Sequence, residues 1–168
     1  KGLEGRGTVE MRKAKMTSSK FTFRRRDWLS EAMSIRFYSE ADNSAAFSSD
    51  SVRGSVDYDS RTGDFSSVMS TIAGNLDALQ YKVYADTLQW PIDRDEIVIS
   101  TADVQEAISS RKFIPPRGID TAQLGSIFYS VRPGEDSLYF MSTTATYRFS
   151  NPHLLAEGVK YVLSADAQ

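Results

Sequence analysis

The chain has 168 residues, of which 40% are hydrophobic and 25% charged, with a formal net charge of -2. That is enough for one ordinary globular domain with its own core, and no run approaches the roughly 18–20 apolar residues that a membrane-spanning helix needs. There is no Cys and one His, His153, so a disulfide scaffold, thiolate or multi-His metal sites and a cysteine nucleophile are all excluded.

In chain order the dominant pattern has period two, the signature of half-buried antiparallel strands. It begins in a predicted strand over Thr8–Met16, with Val9 and Met11 on one side and Glu10 and Arg12 on the other, and with Lys13 and Lys15 sharing a face. Phe21 and Phe23 follow, then Ile35 and Phe37. Residues 39–60 are rich in Ser and read as a long surface connection. Phe65, Val68, Met69 and Ile72 fall at i, i+3, i+4 and i+7, which predicts a short helix over Phe65–Leu76. Leu79–Ala85 and Glu96–Ile99 predict strands. A second short helix is predicted over Thr101–Ser109, with Thr101 as its N-cap. The last strands are Ser126–Val131 and Leu138–Met141 running on through Thr146–Phe149. Phe128, Tyr129, Tyr139, Phe140 and Tyr147 are expected in the core. Some eight strands, two small helices and loops at 60–63, 115–118 and 132–136 point to an all-β sandwich or barrel.

Charge is unevenly placed. Residues 1–26 hold nine Lys/Arg against Glu4 and Glu10. Such a segment suits either a polyanion contact or a solvated strand face. Phosphate-binding, dinucleotide-binding, zinc-protease and serine-hydrolase motifs are all absent. Asp57, Asp59 and Asp64 cluster where a strand runs into a turn, and Asp93 and Asp95 form a second pair. Such oxygens suit a hard cation such as Ca²⁺, completed across two chains, or else they cap local backbone N–H groups. An EF-hand loop is excluded, because Arg61 stands where an oxygen ligand is needed.

Four stretches in order carry a resemblance. They are Asp27-Trp28-Leu29-Ser30-Glu31-Ala32 leading into Ser34–Ser39; Arg53-Gly54-Ser55-Val56-Asp57-Tyr58-Asp59; Thr87-Leu88-Gln89-Trp90-Pro91; and Leu124–Val131, closed by Thr146–Pro152. Over residues 8–152 the chain resembles the shell domain of coat proteins from small icosahedral positive-strand RNA viruses of plants, of the tombusvirus and sobemovirus type. The resemblance implies an eight-stranded antiparallel jelly-roll sandwich with two short helices, preceded by the basic segment 1–26. A tail at 153–168 follows, and no projecting domain. It implies a non-enzymatic capsid protein, assembled in the host cytoplasm into a virion around genomic RNA, with itself and that RNA as partners and no membrane. Ca²⁺ at subunit contacts falls on Asp57 and Asp59, with Asp64, Asp93 and Asp95 as further candidates. The RNA contacts fall on Lys13, Lys15, Arg24, Arg25 and Arg26. Two other readings stay open: a carbohydrate-binding or adhesin-type β-sandwich using Trp28, Trp90 and Tyr84, and a hydrolase using the Asp pairs.

Overall fold

The computed structural model describes residues 2–68, 71–101, 125–135 and 138–164. They form one antiparallel sheet of fourteen strands, which meets the expectation of an all-β fold but not its strand count. The strands are β1 (Leu3–Met11), β2 (Ala14–Phe23), β3 (Asp27–Tyr38), β4 (Ala45–Asp57), β5 (Thr62–Ser67), β6 (Ile72–Leu76), β7 (Tyr81–Ala85), β8 (Thr87–Pro91), β9 (Glu96–Ser100), β10 (Ser126–Ser130), β11 (Tyr139–Ser142), β12 (Thr144–Arg148), β13 (His153–Glu157) and β14 (Tyr161–Leu163).

The pairings reduce this to a simpler plan. One edge of β4 pairs with β3; its other edge is shared between β5 and β6. From there one limb runs β5-β8-β9-β12-β13 and the other β6-β7-β10-β11-β14. The chain steps from one limb to the other at Asp86, at Thr143 and at Gly158–Lys160. Those ten strands therefore stand as five in-line pairs, β9 and β10 on either side of residues 101–125, and with β1–β4 the described residues make nine positions in up-and-down order. The long crossover pairings of a jelly roll are not among the described pairs.

The breaks line up as a crease across the sheet. Register slips occur at Gly5/Gly7 in β1 and between Ser30 and Ile35 in β3. Hydroxyl groups tie the crease together. Ser18 Oγ lies 2.9 Å from Ser30 Oγ and donates to the Ala32 carbonyl at 2.7 Å, Ser49 donates to the Ala73 carbonyl at 2.8 Å, and Thr101 Oγ1 lies 2.9 Å from Ser126 Oγ. Gly7 (φ 136°) and Gly158 (φ 63°) supply the positive φ that such bulges need.

Creasing folds the sheet over a single core. Phe37, fully buried on β3, stacks on Phe149 beyond β12 (ring centroids 5.3 Å apart) and meets Trp90 on β8 edge-on at 5.1 Å. Phe47 and Phe65 complete its surroundings. Tyr147 is buried in the same core, and desolvation pushes its phenol up to about 12. Of the other aromatics expected inside, Phe128 is fully buried and stacks on the partly buried Phe140 at 4.9 Å, while Tyr129 and Tyr139 are half-buried.

Four expectations are corrected. The predicted helix over Phe65–Leu76 is β5 and β6; Phe65 and Ile72 both face the core because the crease lies between them, and this mimics two helical turns. The supposed surface connection 39–60 contains β4, at 13 residues the longest strand, whose alternation is masked by the core-facing Ser49. The single strand predicted over Thr8–Met16 is a hairpin turning at Arg12-Lys13; neither residue has positive φ, so no Gly or Asn marks the turn. The run Leu138–Phe149 breaks at Thr143. The helix predicted over Thr101–Ser109 lies, apart from Thr101, outside the described residues.

Candidate interaction surface

The expected cation ligands sit at one end of the sheet, each held by a different partner. Asp57 ends β4, and its Oδ1 accepts the backbone N–H groups of Asp59 and Ser60, both at 2.8 Å. The Ser60 N–H holds this carboxyl below the usual carboxylate range. Asp59 Oδ2 accepts from Arg26 Nη1 at 2.7 Å. Asp64 lies across the sheet from Gln89, whose amide donates to it at 3.0 Å. Arg61 grips Asp93 through Nε and Nη2, at 2.5 and 2.6 Å, and these hydrogen bonds lower the Asp93 carboxyl and raise the guanidinium. Asp95 accepts the Ser150 N–H at 2.8 Å and pins the turn after β12. Guanidinium and amide groups thus stand where a cation would, and among the described residues no three acids or histidines are placed to share one.

The basic candidates are similarly engaged. Lys13 belongs to the β1–β2 turn and is 6% exposed, so it does not share a solvated face with Lys15. Lys15 pairs with Glu10 at 3.0 Å across the hairpin, a hydrogen bond that raises its ammonium. Arg24 lies 3.9 Å from Asp27, and Arg26 is taken by Asp59. Only Arg25 has no acidic partner among the described residues. Three carboxylates from outside the segment, Asp27, Glu40 and Asp59, offset part of the local excess of positive charge, and ion pairs as exposed as Arg24–Asp27 and Arg26–Asp59 contribute little to stability.

Trp28 and Trp90 are 0% and 1% exposed, which corrects their expected role as sugar-stacking surfaces. They are core residues. Tyr84 is half-buried on the outer face beside Tyr129, with ring centroids 6.5 Å apart.

Two features were not anticipated. The first is a cleft of about 390 Å³ where the β1–β2, β3–β4, β4–β5 and β8–β9 connections meet. Trp90, Ile92 and Met11 form its apolar lining. Glu40 bridges Arg12 at 2.7 Å and the buried Lys13 at 3.4 Å, and the Arg61–Asp93 fork lies alongside. Opposite charges meet across it, which makes the arrangement a charge-paired seam between the two halves of the sheet.

The second is the pair of open edges. Among the described residues β1 pairs only with β2, β13 only with β12, and β14 only with β11. Rows of core-facing side chains run straight out to them. One passes Trp90, Gly63, Val56, Trp28 and Phe23 to end at Leu3. Another passes Val83, Phe128 and Phe140 to end at Val162. Leu3 is 74% and Val162 65% exposed. Val9 and Met11 on one edge, and Leu154 and Ala156 on the other, also pack against the core. No proline interrupts these core-facing positions, and the one charge there is the exposed Lys160, two residues before Val162; inward charges and prolines are the usual means by which edge strands resist further pairing. The alternation that builds β1 was visible in the sequence, but nothing local says which strands end a sheet. No protein-family model matches this chain, and no curated protein matches it.

Proposed function

We propose that the chain is a non-catalytic structural module that associates with further copies of itself through the rim of its sheet. The observation that carries this is the pair of core rows ending in exposed Leu3 and Val162, on strands whose outer edges are open among the described residues. Adding a strand there satisfies backbone N–H and C=O groups and covers apolar surface in one step. A coat-protein subunit, as the sequence resemblance implies, is one specific form of such a module. The RNA contact of that form has less to draw on, since four of its five candidate cations already face a carboxylate.

Sedimentation velocity over a wide concentration range tests the reading. Association rising with concentration is expected, and Val162→Lys is expected to weaken it about tenfold or more by placing a charge in the joining row. Circular dichroism of the variant should match the parent, because Val162 is mostly exposed in the single chain. A parent that stays monomeric throughout overturns the proposal.

A further inference from the structure

Strand direction decides which edges can join. Nine positions in up-and-down order leave β1 and the last edge, β13 with β14, pointing the same way. Joining those two edges with their cores on one side takes parallel pairing, which is slightly less stable per residue and is used by none of the described strand pairs. Two copies of one edge, related by a two-fold axis perpendicular to the sheet, pair antiparallel and keep both cores on one side. Resting on the reading above, we infer that β1 pairs with β1 of a second copy about Thr8, so that Arg6 of each copy meets Glu10 of the other.

Charge selects that register. Leu3, Gly5, Gly7, Val9 and Met11 stand opposite core-side residues of β2, while Glu4, Arg6, Thr8 and Glu10 lie on the exposed outer face. With both cores on one side, odd residues oppose odd and even oppose even. Pairing centred on Gly7 sets Glu4 against Glu10 twice, and pairing centred on Arg6 or Glu10 sets that charge against itself. Centred on Gly5 or Val9, it joins only five of the nine residues of β1. Centred on Thr8, it joins the seven from Gly5 to Met11, and both charged contacts are between opposite signs.

The surroundings agree with this choice. Arg6 has no acid within ion-pair distance among the described residues, whereas Glu10 already holds Lys15 at 3.0 Å. Lys15, Glu10 and the second copy's Arg6 then alternate in sign along one row. On the core side Val9 meets Gly7 and Met11 meets Gly5, so each half-buried apolar side chain faces a residue without one. A Cβ at Gly7 would meet nothing within 4 Å, which leaves room for Val9. Thr8 meets Thr8 and extends the hydroxyl contact it makes to Thr17 at 2.9 Å.

Sedimentation equilibrium of full-length chains carrying Val162→Lys, which burdens the last edge with a charge, isolates the first edge. Dimers are expected. Adding Arg6→Glu or Glu10→Arg should each raise the dimer Kd about tenfold or more, since each turns two attractive contacts repulsive. Both positions are exposed in the single chain, so circular dichroism should match the parent. Mixed in equal amounts, the two charge variants should dimerise about as tightly as Val162→Lys alone, because every opposed pair is again unlike in charge. A Glu10→Arg chain that associates more tightly places Glu4 opposite that position and overturns the register, as does a mixture no tighter than its components. A Val162→Lys chain that stays monomeric overturns pairing through β1. In each of these cases a parent that still associates leaves the rim reading standing, and a parent that stays monomeric overturns both.

Discussion

Phe37→Ala is expected to lower the unfolding free energy by about 3–5 kcal/mol, the range for deleting a fully buried aromatic side chain. Phe37 is 0% exposed, and it joins surfaces distant in sequence: Phe47 on the neighbouring strand, Phe65 and Trp90 on the limb folded over it, and Phe149 past β12. Truncation therefore leaves a cavity at the point where the two halves of the creased sheet meet, and the surrounding rings are fixed by their own strands and cannot collapse into it. Against a total stability of about 5–15 kcal/mol, such a loss removes a large share. Urea unfolding followed by tryptophan fluorescence measures it directly, since Trp90 is among the rings in contact. Val131→Ala, at a position 43% exposed, is the control and should change stability by less than about 0.5 kcal/mol. Equal losses in the two variants would mean that the halves do not pack through Phe37.

The second large effect is electrostatic. Glu40→Ala should cost about 2 kcal/mol, because removing one partner of a buried pair leaves the other charge uncompensated. Lys13 is 6% exposed, and Glu40 is the only carboxylate within ion-pair distance of it among the described residues. Without Glu40, Lys13 and Arg12 face each other beside Arg61, with Asp93 alone to balance them. The expected figure is below that for fully buried pairs because the Glu40 side chain is 29% exposed. Adding Lys13→Met to Glu40→Ala should recover most of the loss, since Met fills the stem's volume without needing an anion. A double variant no more stable than Glu40→Ala would show that the seam is held by packing and not by this charge pair.

The strand character of the chain was open to reading because its apolar positions alternate, yet the crease was hidden in the same pattern. In the long strands between the two edges the core-facing positions change parity at the break. Met16 and Ser18 give way to Phe21, Trp28 and Ser30 to Met33, Ile35 and Phe37, Val83 and Ala85 to Leu88 and Trp90. A one-residue slip of that kind marks a bulge, but over a short window it looks like the end of one element or the period of a helix. That is how Phe65 and Ile72 came to suggest a helix, and how Val9 and Met11 followed by Ala14 and Met16 concealed a hairpin. The candidate site was less legible. The acidic and basic residues stood out in sequence, but whether Arg26 meets Asp59, or Arg61 meets Asp93, depends on strands brought together only by the fold. The open edges have no local signal, because an edge is defined by the strand that is not there.

Hydrogen–deuterium exchange at low and high protein concentration tests the central claim most directly. If copies join through the rim, the amides of Leu3–Met11 and of 153–163 gain protection as concentration rises, while those around the Arg12–Lys13–Glu40 cleft stay unchanged. Exchange that is independent of concentration, or protection gained at the cleft and not at the two outermost strands, would contradict it.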